Sequence, residues 1–491
     1  MRSVLAALAG LVVVAVAIWI AVMQYQERGD TQTELERTRQ ELAELREELR
    51  AMAPRPEDPR PQERRPEGGD GGLNDLLGEL GGGCPAAVGE QEGGGGVEGL
   101  LEGLTEEEPE TREKLVDVVA DRMEELRELE FDEPVDPEFL DDRELQERVR
   151  ELLAEDYSRE EADRDGRALK ALGALPADAD LYALAEELLA GQVAGLYEPS
   201  SGTLLVESGD DPDALEELTL AHELEHALAD QTLDLPVPDE PDPARADADL
   251  AGLAVIEGDA TVASEVYGAA HIGPLDALST LGDLGSVVDS QRQLAALPPY
   301  LRNELLFPYV SGLKFVCGLY EEGGWDAVDA AYERPPAATA QILFPERYGE
   351  TQPVEPPGPG DLGRPWRGEL RTTLGAAQLL WLFEAPGGDP ERALEDPMAA
   401  VAPWAGSEMT VWSADERTAV GVSLAARPGG GQRLCQSMTQ WYAAAFPDAR
   451  RQGTTFDGPR QDAVIACRGD NVRLGIAPDV RTAQALVRPP G

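Results

Sequence analysis

Residues 221–228 read AHELEHAL, and this stretch holds two of the three histidines in a chain of 491 residues. His222 and His226 are four positions apart, and Glu223 follows the first of them. On an α-helix, side chains four positions apart lie on one face, so both imidazoles can reach the same ion. The H-E-x-x-H pattern therefore predicts a helix with two metal ligands and an adjacent acidic group. The alternative is a surface helix on which two histidines align by chance.

A catalytic zinc site needs a third protein ligand and leaves its fourth position to water. About thirty residues after the motif, positions 253–260 read LAVIEGDA, which places Glu257 in an apolar segment. A buried acid without a partner is costly, and a metal ion would explain this one. The sequence thus predicts His222, His226 and Glu257 as ligands of Zn²⁺, with Glu223 as general base. The alternative for Glu257 is a surface carboxylate at a helix end.

These residues resemble the gluzincin zinc metallopeptidases, and in particular a poorly characterised bacterial branch of membrane-anchored enzymes. Segments similar to that branch extend the resemblance over about residues 126–348 and loosely into the C-terminal part: QVAGLY at 192–197, FPYVSG at 307–312, GGW at 323–325, and 335–348. The resemblance implies that Glu223 takes a proton from a zinc-activated water that attacks a peptide bond of a protein or peptide substrate. It also implies that strand 203–207 is a sheet edge that pairs with the extended substrate.

A hydrogen-bond donor for the developing oxyanion is the missing part of this mechanism. Tyr309, Tyr267 and His271 are candidates. Tyr309 is favoured because it lies in a segment that resembles the family, and a packing role is its alternative. Asp259 is a candidate for orienting a ligand histidine.

The N-terminal part predicts attachment to a membrane. Residues 4–23 are apolar and uncharged, long enough to span a bilayer, so 1–25 is interpreted as a single-pass anchor rather than a cleaved signal peptide. The remaining chain is then expected outside the cytoplasmic membrane. Residues 26–52 carry a short heptad pattern, typical of a stalk that forms a homodimer or of a lone charged helix. Residues 53–110 are rich in Pro, Gly and acids and predict a flexible linker.

The charge balance restricts the partners. Asp and Glu number 95 against 41 Lys and Arg, and the formal net charge is −54. Such a surface repels phosphate backbones and anionic head groups, which argues against nucleic acid as a partner. A saline habitat would screen the self-repulsion, and biased codon composition explains the preference for arginine over lysine equally well.

The chain has four cysteines, too few for a disulfide scaffold. Cys435 and Cys467 are able to pair in an oxidising compartment, but the sequence does not decide whether they do. Cys317 lies in an apolar run and is expected to be a small buried hydrophobic residue. Cys84 is interpreted as a stray or cross-linking thiol, and the alternative is a thiolate that blocks the zinc.

The pattern of elements predicts an α+β fold with a zincin-like core at 111–350 and a small C-terminal α+β module at 366–491. In the first part we expect a helix from about residue 111, helices at 142–156 and 181–189, a hairpin of 193–197 with 203–207, and two helices carrying the motif and Glu257. In the second part we expect a helix at 373–383 followed by β-β-α-β-β, with strands at 409–412, 418–424, 462–467 and 471–476 around a helix at 432–446.

The expected function is a zinc-dependent peptidase tethered outside the cytoplasmic membrane. One alternative is a catalytically silent zincin-like protein that serves as a membrane-anchored binding or scaffold protein of the envelope. Another is a stalk protein in which the motif is accidental.

Overall fold

The computed structural model describes residues 84, 111–135, 137–189, 195–207, 214–237, 242–272, 293–349 and 352–489. The predicted anchor and stalk, and all of the predicted linker except Cys84, lie outside these residues. Among the helices that are described, none is both long and apolar enough to cross a membrane.

Four helices and a small sheet form the first part of the chain. The helices are α1 (Arg112–Arg127), α2 (Asp142–Asp156), α3 (Arg159–Ala171) and α4 (Leu181–Leu189). The strands are β1 (Pro137–Leu140), β2 (Gly195–Glu198) and β3 (Thr203–Glu207). Helices α1, α2 and α4 and the hairpin β2–β3 confirm the sequence prediction, whereas α3 and β1 were not anticipated. A capping box of Ser158 and Glu161 begins α3, so a local signal for that helix was present.

The position of strand β3 contradicts the prediction that it forms a sheet edge. The sheet order is β1–β3–β2, with β1 parallel and β2 antiparallel to β3. Both sides of β3 are therefore hydrogen-bonded within the protein, and an extended peptide cannot add to it. The edge was misassigned because β1 comes from a segment more than sixty positions earlier, which a local pattern does not reveal.

Three long helices follow the sheet: α5 (Ala214–Thr232), α6 (Ala246–His271) and α7 (Pro299–Glu333). The motif lies on α5 and Glu257 lies in the middle of α6, so the interpretation of Glu257 as a helix-end carboxylate is wrong. Helix α7 kinks at Gly323 and Gly324, where Gly324 has a φ of 63°. A short helix, α8 (Thr339–Leu343), and a 3₁₀ turn (Pro345–Arg347) complete this part.

The C-terminal part is a sheet of seven antiparallel strands with helices. Its helices are α9 (Ala376–Glu384), α10 (Pro397–Val401), α11 (Gly431–Ala445) and α12 (Val480–Leu486). Its strands are β4 (Arg367–Thr372), β5 (Trp404–Ala414), β6 (Arg417–Ala426), β7 (Arg450–Gln452), β8 (Thr455–Asp457), β9 (Asp462–Arg468) and β10 (Asn471–Ala477). The strand order is β4–β5–β6–β10–β9–β8–β7. The predicted β-β-α-β-β order is confirmed by β5, β6, α11, β9 and β10, and the outer strands β4, β7 and β8 are additions.

One hydrophobic cluster joins the two parts of the chain. It contains Leu250 of α6 and Phe307 of α7, and it continues through Trp381 of α9 to Leu424 and Trp441 in the C-terminal part. The observed architecture is therefore mixed α+β, with helices of the first part and the C-terminal sheet packed around a continuous core.

Disulfides account for all four cysteines. Cys435 on α11 is bonded to Cys467 on β9, which answers the question that the sequence left open. Cys84 is bonded to Cys317 on α7. Cys317 is buried, as expected, but as half of a disulfide. Cys84 forms a cross-link, and the alternatives of a stray thiol and of a zinc-blocking thiolate are wrong. The two residues are 233 positions apart, and no local pattern links them.

Candidate metal centre

Helix α5 presents the motif because its other face is apolar. Leu220, Leu224 and Ala227 are fully buried in a cluster with strand β3 and helix α1. This packing fixes the rotation of α5, so that His222 and His226 face α6. Both histidines are buried, with His222 at 0% and His226 at 8% exposure.

The side chains of His222, His226 and Glu257 converge on one point. Their donor atoms lie 3.0 Å apart for the two Nε2 atoms, 3.4 Å for His222 Nε2 and Glu257 Oε2, and 3.6 Å for His226 Nε2 and Glu257 Oε2. Two ligands in a tetrahedral shell with bond lengths of about 2.1 Å are about 3.4 Å apart. The three residues form a buried group that could hold a metal ion.

Glu257 is the strongest sign that a cation belongs here. The residue is 0% exposed, and both of its carboxylate oxygens lack a hydrogen-bond partner among the described residues. Leaving a buried carboxylate without hydrogen bonds is expensive unless a positive charge compensates it. Burial opposes the ionised form, yet the charge of His226 and the contacts with both histidines keep the pKa of Glu257 below its usual value.

The two histidines have different proton affinities. Burial, reinforced by the neighbouring His226, lowers the pKa of His222 to about 4. Burial acts in the same direction on His226, but the carboxylates of Glu257, Glu223 and Glu225 outweigh it and raise the pKa of His226 to about 9. Without a metal, a proton on His226 supplies the positive charge that Glu257 requires.

Glu223 has one anchored oxygen and one available oxygen. Its Oε2 accepts a hydrogen bond of 2.8 Å from the backbone N–H of Tyr197 on β2, whereas its buried Oε1 has no partner among the described residues. Burial raises the pKa of Glu223 to about 7. A carboxylate of this basicity is suited to exchanging protons near neutral pH.

Of the three oxyanion candidates, the structure places only Tyr309 at the centre. Tyr309 lies on α7 and is 2% exposed. Its pKa is raised well above the usual value by burial and by the nearby carboxylates of Glu257 and Glu223, so the hydroxyl remains a donor. Tyr267 instead donates to Glu217 at 2.6 Å, and His271 is exposed at the end of α6, 4.8 Å from the Tyr267 ring.

Asp259 does not orient a ligand histidine, as the sequence had suggested, but binds the buried Arg127. The Arg127 guanidinium donates to Asp259 Oδ2 at 3.1 Å, to Glu225 Oε1 at 2.7 Å and to Asp329 Oδ1 at 3.0 Å. Tyr332 also donates to Asp259, at 2.8 Å. These five residues, which we call the Arg127 network, tie α1 to α5, α6 and α7.

The Arg127 network was missed in the sequence, although one signal was available. Glu225 directly precedes His226 on α5, in a stretch that also contains Leu224 and Ala227, and its side chain is buried with 1% exposure. A second acid inside an apolar helix face requires its own cation, and an arginine is the natural choice for a buried pair. The sequence does not identify Arg127 as that cation, since it lies 98 positions away.

Backbone contact between α6 and α7 sets the position of Glu257. Gly258 follows Glu257, and a Cβ atom added to it would lie 2.5 Å from the backbone carbonyl of Gly312 on α7. A Cβ added to Gly312 would in turn overlap the carbonyl oxygen of Ala254. The two helices can approach this closely only with glycine at both positions.

Comparison of the chain with family models, with curated proteins and with solved structures found no match in any of the three.

Proposed function

We propose that this protein is a zinc-dependent peptidase. The observation that carries the proposal is the convergence of His222, His226 and Glu257 on one buried point, beside a glutamate that has one oxygen available. The resemblance of the motif and of the Glu257 segment to the gluzincins supports the same assignment.

The donor set favours zinc. Two imidazole nitrogens and one carboxylate oxygen are the ligands of a common class of catalytic zinc sites, which keep a fourth position for water or substrate. When bound, Zn²⁺ would polarise the scissile carbonyl and lower the pKa of a water ligand towards about 7. His222, His226 and Glu257 would hold the ion, and the Arg127 network would fix the helices that present them.

Glu223 would move the proton. Its Oε1 is the oxygen that can accept a proton from the attacking water, because Oε2 is held by the N–H of Tyr197. The same carboxyl group would then deliver the proton to the leaving amine. Tyr309 is the candidate donor to the oxyanion, since its hydroxyl keeps its proton and lies near both carboxylates.

The edge of strand β2 opposite β3 is the place that we infer for the substrate backbone. Among the strands that the structure describes, β2 is paired only with β3, and the backbone of its Tyr197 contacts the base directly. An extended peptide added along this edge would lie next to Glu223. This assignment replaces β3, which lies between two strands.

The disulfides support a location outside the cytoplasm. Disulfides persist in oxidising compartments and are rare in the cytosol. The bonds Cys84–Cys317 and Cys435–Cys467 therefore agree with an apolar N-terminal segment that anchors the chain and places the rest on the outer side.

The test measures bound zinc and the hydrolysis of casein by the full chain. Glu223→Gln is expected to keep about one zinc per chain and to lower turnover by about 10²–10⁴, which is the contribution of a general base. His226→Ala is expected to lose both zinc and activity. Tyr309→Phe should lower kcat while zinc stays bound.

The chain offers matched controls. His271→Ala removes the third histidine, which is exposed, and Glu151→Gln changes an exposed glutamate on α2 whose side chain is 61% exposed. Both controls are expected to keep zinc and activity. Zinc bound without hydrolysis of any peptide substrate would favour the silent scaffold, and failure to bind any metal would overturn the proposal.

A further inference from the structure

Strand β2 packs directly on the part of α5 that carries Glu223. Gly195, the first residue of the strand, is buried there against Thr219 and Glu223. A Cβ atom placed on Gly195 would lie 3.0 Å from Thr219 Cγ2 and 3.2 Å from Glu223 Cγ. Carbon atoms in ordinary contact are about 3.5–4.0 Å apart, so a side chain at this position would have to displace its neighbours. The strand can lie this close to Glu223 because residue 195 is a glycine.

Tyr197 holds the same strand on α5 at two further points. Its backbone N–H donates to Glu223 Oε2 at 2.8 Å, and its hydroxyl donates to Asp230 Oδ2 at 2.8 Å. Asp230 lies about two turns beyond Glu223, so the two hydrogen bonds fix β2 along the helix and not at one point only. Strand β3 pairs with β2 as well. A shift caused by bulk at position 195 would therefore fall on side chains of α5, since the strand itself is held.

Glu223 is in contact with β2 at two places along its side chain. Its Cγ lies under Gly195, and its Oε2 accepts the N–H of Tyr197. A glutamate side chain has several rotatable bonds and can adopt several staggered conformations. A catalytic group has to stay within about 0.5 Å of its productive position, which requires neighbours that lock its conformation. The contacts with β2 supply this restraint and leave Oε1 without a partner among the described residues.

The three metal ligands are not the nearest neighbours of residue 195. The atoms closest to a Cβ at this position belong to Thr219, Glu223 and Leu205. A change at residue 195 should therefore act on the base and leave the zinc in place. This separation makes the role of the glycine measurable.

We propose that Gly195 is a positioning residue of the peptidase, whose missing side chain lets β2 fix the carboxylate of Glu223. The inference rests on the proposed function, in which Glu223 Oε1 accepts a proton from the attacking water. The substrate backbone is assigned to the same strand. A short strand thus sets the position of the base and of the scissile bond together, which keeps the two in register.

Gly195→Ala tests the proposal in the full chain, with bound zinc and casein hydrolysis as readouts. The added methyl group requires its neighbours to move by a few tenths of an ångström, so the fold and about one zinc per chain should be retained. A misplacement of about 1 Å can cost about 10²-fold in rate. We therefore expect kcat to fall about three- to tenfold, with KM changed by less than about twofold.

Thr219→Ser separates the effect on Glu223 from the effect on its neighbour. This change removes Cγ2, the atom nearest to the added methyl group, and keeps the hydroxyl. Thr219→Ser alone is expected to turn over as the parent chain does. The double variant Gly195→Ala with Thr219→Ser keeps the contact with Glu223 Cγ, so its kcat should stay low. Gly318→Ala adds a methyl group that meets nothing within 4 Å and should leave kcat unchanged.

Crystal structures of the parent chain and of Gly195→Ala report the position of Glu223 without any turnover. In the variant, Glu223 Cγ is expected to move by a few tenths of an ångström. The distance between the Tyr197 nitrogen and Glu223 Oε2 should lengthen from 2.8 Å.

Four results would contradict the proposal. They are a parental kcat in Gly195→Ala, recovery of the parental kcat in the double variant, a rise in KM with unchanged kcat, and a Glu223 that has not moved in the crystal. The rise in KM would assign the glycine to substrate binding instead. A parent chain that hydrolyses no peptide would refute the proposed function by itself, and the crystal structures would then decide whether Gly195 positions Glu223.

Discussion

At the scale of single residues, the metal centre contains buried ionisable groups on α5 and α6 whose charges compensate one another. Glu257 needs a cation, and a proton on His226 serves when no metal is bound. A histidine that binds a metal must be neutral, so the metal and this proton compete for the same nitrogen. Because of this competition, the affinity for the metal depends on pH in a fixed direction.

The affinity of the site for zinc is expected to rise with pH. Because the pKa of His226 is raised to about 9, the ring keeps its proton at neutral pH and releases it only when the metal binds. Below pH 9 the apparent affinity should fall about tenfold for each unit of decrease. Competition with a chelator over this pH range measures how the zinc affinity changes with pH. Calorimetry in buffers of different ionisation heat measures how many protons are released when zinc binds. An affinity independent of pH would contradict the assignment.

Arg127 is the residue whose loss should be felt most in stability. It is 1% exposed and compensates carboxylates on three helices, so Arg127→Met leaves buried acids without their cation. The free energy of unfolding is expected to fall by about 3–5 kcal/mol. Urea denaturation measures it, with Arg143→Met as the control. Arg143 is exposed on α2, and its loss should change stability by less than about 0.5 kcal/mol. Equal effects of the two changes would refute the role of the network.

At the scale of elements, the crossing of α6 and α7 places the third ligand. Gly258, the residue after Glu257, has a packing role, since Gly258 and Gly312 let the two backbones touch. The same crossing brings Tyr309 and Glu257 together, because both lie within a turn of these glycines.

Gly258→Ala is expected to separate the two helices. The added methyl group would meet backbone atoms, which cannot move aside as a side chain can, so we expect a loss of about 1–3 kcal/mol and weaker zinc binding. Gly318→Ala on α7 is the matched control, since a Cβ there meets nothing within 4 Å. That change should stabilise the chain by about 0.5–1 kcal/mol. Thermal unfolding with and without zinc compares the two, and a harmless Gly258→Ala would disprove the packing argument.

At the scale of the whole molecule, charge opposes compactness. The formal net charge of −54 repels itself in the folded state more than in an expanded chain. Salt shortens the screening length from about 30 Å at 0.01 M to about 10 Å at 0.1 M.

The melting temperature is therefore expected to rise with sodium chloride, and most of the rise should come below about 0.3 M, where screening changes fastest. Differential scanning calorimetry at several salt concentrations measures this curve. A rise that continues linearly to molar salt would indicate preferential exclusion of salt instead of screening, and a fall would contradict the argument.

The sequence by itself determined the features that depend on neighbours within a few turns. The spacing of His222 and His226 defines one helical face, and apolar periods located α1, α2, α5 and most C-terminal elements. An acid in an apolar segment was enough to nominate Glu257. These signals are local because helix hydrogen bonds and strand alternation are local.

Only the tertiary structure decided which distant segments meet. It placed β3 in the middle of its sheet, joined Cys84 to Cys317, and paired Arg127 with Glu225 and Asp259. It also placed Tyr309 near the metal centre, whereas Tyr267 and His271 lie elsewhere. Each of these contacts joins residues that are far apart in the sequence. Their pairing is set by which apolar faces pack together, and a single segment does not contain that information.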